Sequence, residues 1–185
     1  MNLALTDRYT KVAIALHWIL ALGILLQIWL GFFLDNVPRG SPERTEWVNF
    51  HKSSGITLAA LILVRLAWRL THRPPPLPAS MPAWERIAAR ASHALLYVCM
   101  LGAPLAGYIA SNFSKYGIKY FGLVMLPPWG IDDRRVYLAF NTMHQILALA
   151  LAGLILLHIA AALKHLLVDR DGIMRRMWPW PTLLP

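Results

Sequence analysis

Two kinds of residue are scarce in this sequence, cysteine and charged residues. Cys99 is the only cysteine, which excludes a disulfide framework and any metal cluster that needs several thiolates. Charged residues make up 15% of the chain, whereas hydrophobic residues make up 57% and the mean hydropathy is positive. A soluble domain of 185 residues needs more polar surface than this. The composition therefore predicts an integral membrane protein.

Acidic residues are the rarer of the charged residues, with nine against 18 lysines and arginines and a formal net charge of +9. In a soluble protein such an excess would suggest a nucleic-acid partner. In a membrane protein the informative property is where the basic residues lie relative to the spans. We therefore expect membrane lipid as a partner and no nucleic acid.

The sequence is rich in long apolar runs. Four segments are long and apolar enough to cross a hydrocarbon core of about 30 Å. We expect helices over about residues 9–34, 46–71, 84–112 and 136–168 of one transmembrane domain that covers residues 1–185. The first run is too long for a secretory signal, and no small-residue cleavage site follows it. The predicted fold class is all-α, an integral membrane four-helix bundle.

The connecting segments differ in character. Residues 35–46 and 72–82 contain several prolines and indicate loops. Residues 114–135 form the longest connection, and their aromatic and apolar residues predict a loop at the membrane interface.

The basic residues indicate which side of the membrane each loop occupies. With four spans, both chain ends and the second loop share one side, and most of the lysines and arginines fall there. They are Arg8, Lys11, Arg65, Arg69, Arg73, Arg86, Arg90, Lys164, Arg170, Arg175 and Arg176. Because cytoplasmic loops are enriched in lysine and arginine, we expect both termini in the cytoplasm.

Four of the seven histidines lie in or at the edge of the predicted helices, at two matching depths. His17 and His158 lie near the cytoplasmic ends of the first and fourth helices, while His51 and His144 lie towards the outer ends of the second and fourth. His144 and His158 are separated by close to four helical turns, so they project from nearly the same face about 21 Å apart. The pattern predicts one histidine pair towards each membrane face.

A pair of facing imidazoles supplies both axial ligands of a haem iron and leaves no open site for oxygen chemistry. We therefore interpret the four histidines as ligands of two haem b groups in the bundle core, bound without covalent attachment because no Cys-x-x-Cys-His motif is present. Gly23, Gly55 and Gly153 could let the flat macrocycle approach the backbone. An interhelical hydrogen bond is the alternative for a single histidine, and a zinc site is disfavoured because no acidic residue or cysteine accompanies either pair.

The other three histidines carry weaker indications. His165 follows His158 by two helical turns on the same face, which suits a hydrogen bond to a quinone head group, although an interfacial side chain without a function fits as well. His93 begins the third helix at the cytoplasmic level and is a candidate for contact with quinone or a haem propionate. His72 is expected to be a loop residue.

Several motifs resemble those of the bacterial cytochrome b561 family, relatives of the cytochrome b subunits of formate dehydrogenases and hydrogenases. They are Arg8-Tyr9-x6-Leu16-His17-Trp18, His51-Lys52-Ser53-Ser54-Gly55, Ala91-Ser92-His93-Ala94-Leu95-Leu96-Tyr97, Phe121-Gly122-Leu123-Val124-Met125 and His144-x13-His158-x6-His165. The resemblance covers nearly the whole chain. It implies four transmembrane helices, two b haems bridged by the pairs above, and the inner membrane of a bacterium.

The resemblance to the free-standing members of that family further implies oxidation of superoxide at the periplasmic face and reduction of ubiquinone inside, with His165 in contact with quinone. Lys52, Lys115 and Lys119, together with Arg134 and Arg135, could attract a small anion to the outer face. An ordinary solvated loop explains these cations equally well. The expected activity is that of a superoxide:ubiquinone oxidoreductase.

Two other functions fit parts of the pattern. The first is a haem b membrane-anchor subunit that relays electrons between a partner dehydrogenase or hydrogenase and the quinone pool. The lack of a long extension that would dock such a redox partner favours the free-standing enzyme. The second is a haem-free helical scaffold or transporter, which four histidines at matched depths disfavour.

Overall fold

Four long helices form the body of the protein in a computed structural model that describes residues 8–78 and 81–180. They are α1 (Lys11–Asp35), α2 (Pro42–Thr71), α3 (Ala83–Asn112) and α4 (Arg134–Lys164). Each is long and apolar enough to cross a membrane, so the prediction of an all-α membrane bundle with four spans is confirmed. The outermost parts of the predicted domain, residues 1–7 and 181–185, lie outside the described residues.

The second helix begins one turn earlier than the predicted start near residue 46. Ser41 caps it, because its Oγ accepts a hydrogen bond from the Arg44 backbone N–H at 3.1 Å, and Pro42 occupies the first turn. The Arg44 side chain also donates to the backbone carbonyls of Leu34 and Val37 at the end of α1. Pro42, one of the prolines that indicated a loop, therefore belongs to a helix start that is tied to the preceding helix.

A short β-hairpin lies within the longest connection, where the sequence predicted only a loop. Its strands are β1 (Ile118–Tyr120) and β2 (Val124–Leu126), paired antiparallel with Ile118 opposite Leu126. The hairpin packs on the N-terminal half of α2 through polar contacts. Asn49 Oδ1 accepts from the Lys119 backbone N–H at 3.1 Å, and Ser53 Oγ, which is fully buried, accepts from the Phe121 N–H at 2.9 Å.

The helices pack in two pairs that leave a gap. α1 packs on α2, α3 packs on α4, and α2 joins the pairs by packing on α3, whereas α4 stands away from α1 and α2 over most of its described length. A cluster of buried apolar residues crosses the middle of the bundle; its members are Leu20, Ile24, Ile62, Leu96, Cys99 and Leu151. Leu151 lies midway in sequence between His144 and His158, so this apolar layer separates the two ends of the gap.

The segment after α4 turns back towards α1. A π-helical turn (His165–Asp169) extends α4, Arg170 adopts a left-handed conformation with φ +50°, and a 3₁₀ turn (Met174–Arg176) follows. Backbone carbonyls of this segment then accept hydrogen bonds from α1 and its N-terminal flank. Trp18 Nε1 donates to Met177 O at 2.9 Å, and Arg8 donates to Trp178 O at 2.6 Å.

Candidate functional site

One end of the gap, the predicted outer end, holds one of the predicted histidine pairs. His51 on α2 and His144 on α4 face each other with ring centres 6.0 Å apart and ring planes 86° apart. Because α2 and α4 do not pack closely, the two imidazoles approach each other across open space instead of through a helix contact. The matching depths that the sequence predicted for this pair correspond to an actual juxtaposition.

The third helix holds the His144 ring in place. His144 Nδ1 lies 2.8 Å from the backbone carbonyl of Ala103 and donates a hydrogen bond to it. Gly107 leaves room for the ring, since a Cβ at this position would lie 3.0 Å from Nδ1. A hydrogen bond from Nδ1 fixes the tautomer that leaves a lone pair on Nε2, the arrangement usual for metal-binding histidines.

The partner imidazole has an unsatisfied nitrogen. His51 Nδ1 is buried and makes no hydrogen bond with any of the described residues. Around it, Gln27 donates from Nε2 to the His51 backbone carbonyl at 3.1 Å and to Ser54 Oγ at 2.7 Å, which ties α1 to α2. A buried ring nitrogen without a partner is unusual in a folded protein, so this nitrogen needs a partner that the described residues do not supply.

The inner end of the gap holds three imidazoles. His17 on α1 and His158 on α4 have ring centres 6.2 Å apart at 74°, and His93 on α3 lies 5.5 Å from His158. Arg65 on α2 lies near this group, since its hydrogen-bond partners Ala13 and Tyr97 are each one helical turn from His17 and His93. Its guanidinium donates to Ala13 O at 3.1 Å and to the Tyr97 hydroxyl at 3.3 Å.

A large cavity opens around the outer pair. Its volume is about 1480 Å³, above the range of about 300–1,000 Å³ typical of small-ligand pockets, and all four helices and the hairpin line it. Both outer histidines, Gly55 and Gly107 contribute to its wall. The basic residues of the wall are Arg44, Lys52, Lys115, Lys119 and Arg134. The three lysines singled out in the sequence therefore surround the same cavity as His51 and His144.

Both histidine pairs fit a haem iron. An iron with imidazole nitrogens at about 2 Å on opposite sides places the ring centres about 6 Å apart, which matches both measured separations. Within the described part of the chain, neither pair has a carboxylate or thiolate near enough to complete a four-ligand zinc site. The donor chemistry, the unsatisfied nitrogen of His51 and the open gap between the helices all suit a flat macrocycle with two axial ligands.

The glycines proposed to admit the macrocycle have different surroundings. Gly55 lines the outer cavity, with only Gln27 Nε2 near the position of its missing Cβ. The space beside Gly23 is taken by Leu58, whose Cδ2 would lie 2.5 Å from a Cβ there, so this glycine serves the packing of α1 on α2. Gly153 has no atom within 4 Å of the equivalent position.

His165 and His72 lie away from both pairs. His165 Nδ1 lies 2.7 Å from Asp171 Oδ2 and 3.1 Å from Asp169 Oδ2, at the exposed cytoplasmic end predicted for α4. His72 ends α2 and stacks on Trp68 with ring centres 3.8 Å apart, as expected of a residue at a loop. The structure therefore brings His93, but not His165 or His72, into contact with an inner ligand candidate.

Three contributors to the site were not identified from the sequence, namely Gly107, the Ala103 carbonyl and Arg65. Gly107 carries the clearest sequence indication, since a glycine inside an apolar helix often has a packing reason. Arg65 was used only to predict the orientation, although a charged residue inside a span usually has a functional partner. The carbonyl of Ala103 has no sequence signature at all.

Comparison with known proteins agrees with this architecture. A family model described as prokaryotic cytochrome b561 matches residues 8–180. Among curated proteins, Cytochrome b561 homolog 2 of Escherichia coli (strain K12) is 30% identical over 172 residues, which are 92% of this chain and 91% of the relative. Cytochrome b561 homolog 1 of the same organism is 27% identical over 94% of this chain and 98% of its own length. Probable superoxide oxidase CybB of Yersinia pestis is 27% identical over 93% of this chain and 96% of its length.

Proposed function

Because the chain belongs to the prokaryotic cytochrome b561 family, a family of haem b proteins that transfer electrons in membranes, we propose that it is a superoxide:ubiquinone oxidoreductase with two haem b groups. The observation that carries the proposal is the presence of two facing imidazole pairs, 6.0 and 6.2 Å apart, at opposite ends of one interhelical gap. A redox group held near each end of the gap would divide the path of an electron across the bilayer into shorter steps.

The residues that would hold the two groups come from three helices. His51 and His144 would ligate the outer iron, and His17 and His158 the inner one. When bound, haem b would supply a one-electron carrier. The protein's own contribution is to fix each imidazole, through the Ala103 carbonyl in the case of His144, and to keep water out of the middle of the bundle with its apolar layer.

The donor side of the proposal rests on charge. Superoxide is a small anion, and the wall of the outer cavity carries Lys52, Lys115 and Lys119 beside the outer histidines. Lys115 and Lys119 are exposed, whereas Lys52 is half-buried and donates from Nζ to the Gly117 carbonyl at 3.2 Å. A cluster of cations at a cavity mouth raises the local concentration of an anion and its rate of encounter. One relative carries the name probable superoxide oxidase.

The proposed site of ubiquinone reduction lies at the inner end of the bundle. His165 lies two turns beyond His158 with its Nδ1 held by carboxylates, and His93 contacts His158 directly. Both imidazoles suit a hydrogen bond to the carbonyl oxygen of ubiquinone. We infer from the excess of lysine and arginine on this side that this end, with both termini, faces the cytoplasm of a bacterium and that the outer cavity faces the periplasm.

The test is a reduced-minus-oxidised visible spectrum of the purified protein with either dithionite or superoxide as reductant. We expect dithionite to reveal two b haems per chain, superoxide to reduce most of the same absorbance, and ubiquinone to reoxidise it. Reduction by dithionite but not by superoxide would refute superoxide as the electron donor. The protein would then be a haem b electron carrier that receives electrons from a partner subunit. Absence of haem absorbance would refute the whole proposal.

A further inference from the structure

Asp171 approaches His165 from the segment that follows α4. Its Oδ2 lies 2.7 Å from His165 Nδ1, and this contact exists because the chain reverses direction between the two residues. The hydrogen bonding of α4 changes to a π-helical turn at His165, and Arg170 then takes a left-handed conformation with φ +50°. Left-handed non-glycine residues and π-turns are both concentrated at functional sites. This local geometry therefore points to a role for the pair beyond packing.

The surrounding charges distinguish Asp171 from its neighbour. Asp169 Oδ2 accepts from Lys164 Nζ at 2.6 Å, and Lys164 also contacts Glu85 on α3 at 3.0 Å, so Asp169 belongs mainly to an ion-pair cluster. Asp171 Oδ2 contacts only His165 among the described residues, while its Oδ1 accepts from the Ile173 N–H at 3.1 Å. One carboxylate oxygen thus shapes the turn and the other holds the imidazole.

We propose that Asp171 is the positioning residue of a proton relay in which His165 Nε2 donates a proton to the quinone. The inference rests on the proposed function. Because Nδ1 donates its hydrogen bond to Asp171, the ring is held in one orientation, and within the described part of the chain no hydrogen bond engages Nε2. A carboxylate in this position also stabilises the ring while Nε2 carries a proton, as in other histidine–aspartate pairs.

The relay balances with the overall reaction. Reduction of one quinone to a quinol takes two electrons, which the oxidation of two superoxide ions to oxygen supplies, and two protons. One proton leaves His165 as its Nε2–H bond breaks and an O–H bond forms on the quinone oxygen; the other comes from cytoplasmic water. After the quinol leaves, water returns a proton to Nε2. The side chains of His165 and Asp171 are 15% and 26% exposed, so the pair is shielded but within reach of water.

The experiment measures reoxidation of the reduced, haem-loaded protein by a short-chain ubiquinone in a stopped-flow instrument, in H₂O and in D₂O. We expect Asp171→Asn to slow reoxidation by about 10²-fold or more, the scale of general acid catalysis, and to change the solvent isotope effect. Asn keeps an oxygen for the Ile173 N–H, so the turn is retained. Asp171→Glu should restore much of the rate, and Asp169→Asn is the matched control with a smaller effect.

The outcomes separate the relay from the proposed function. If ubiquinone reoxidises the wild type and Asp171→Asn reacts at the same rate with the same isotope effect, the relay is overturned and the proposed function stands. If ubiquinone does not reoxidise the wild type, both are overturned. Loss of rate in Asp171→Asn that Asp171→Glu does not restore, with no change in isotope effect, would show a purely structural role and overturn the relay.

Discussion

The outer and inner ends of the bundle hold similar histidine pairs in different surroundings. The outer pair has two imidazoles, a large cavity with a basic wall, and a hairpin packed on α2 beside it. The inner pair has a third imidazole in contact, Arg65 close by, and a returning C-terminal segment hydrogen-bonded to α1. The comparison teaches that the ligands alone do not distinguish the two ends. Access to solvent and nearby charge do.

The largest expected effect is loss of a haem at the end where no spare imidazole exists. His51→Ala should remove the outer haem completely and leave one haem per chain, because His144 alone keeps only one of two axial bonds. His17→Ala should keep part of the inner haem, since His93 lies 5.5 Å from the remaining ligand His158. The haem-to-protein ratio and the visible spectrum measure both.

His72→Ala is the control for this pair of variants, because His72 stacks on Trp68 away from both ends. Equal loss of haem in His51→Ala and His17→Ala would show that His93 gives no support and that the two ends do not differ in this respect.

The next effect concerns the helix that supports the outer ligand. A Cβ at position 107 would lie 3.0 Å from His144 Nδ1, so Gly107→Ala forces the ring away from the Ala103 carbonyl. Loss of such a supporting hydrogen bond typically lowers metal affinity by about 10–100-fold. We expect the outer haem to dissociate more readily, as measured by transfer of haem to an apo-protein acceptor.

Gly153→Ala is the matched control, because it also adds a methyl group inside an apolar helix but meets no atom within 4 Å. If both variants release haem at the wild-type rate, Gly107 has no supporting role. If both release it faster, the effect comes from the helices in general and not from His144.

A smaller effect is expected on the redox potential of the inner haem, and not on that of the outer one. Arg65→Gln removes a positive charge near the inner histidines, which favours the oxidised, more positive state of an inner haem and lowers its midpoint potential. A unit charge at about 10 Å in an effective dielectric of about 20 contributes about 2 kcal/mol. A potentiometric titration followed in the visible spectrum should show the shift in one of two components.

Arg73→Gln provides the comparison for this variant, since Arg73 is exposed in the second loop. A shift of both components by the same amount in Arg65→Gln would mean that the charge does not distinguish the inner end from the outer one.

The smallest effect is expected at the outer surface. Combined substitution of Lys115→Gln and Lys119→Gln should slow reduction by superoxide several-fold at low ionic strength and much less at high salt, because exposed charges act over a screened distance. Stopped-flow reduction at two salt concentrations tests this. Lys11→Gln, on the opposite side of the bundle, should leave the rate unchanged; a slower rate in that variant as well would point to net charge and not to the cavity mouth.

The sequence alone determined the features that depend on local pattern. Apolar runs of membrane length predicted four helices, and four are present; α2 begins four residues before its predicted start, and α4 changes to a π-helical turn four residues before its predicted end. The spacing of His144 and His158 predicted a shared face and two depths, because helical geometry repeats along one chain segment. The pairing with His51 and His17 also followed from depth, and the measured ring separations agree with it.

Only the tertiary structure decided which groups surround each histidine. The Ala103 carbonyl reaches His144, the hairpin reaches Ser53, and Asp171 reaches His165 through contacts between separate segments or around a strained reversal. The sequence around these residues shows no periodic pattern that would predict the contacts. The contacts depend on the angles between helices and on where the loops fold back onto them. Local sequence pattern therefore determines the spans and the spacing of the histidines, while the surroundings that distinguish the two ends arise from packing between separate segments.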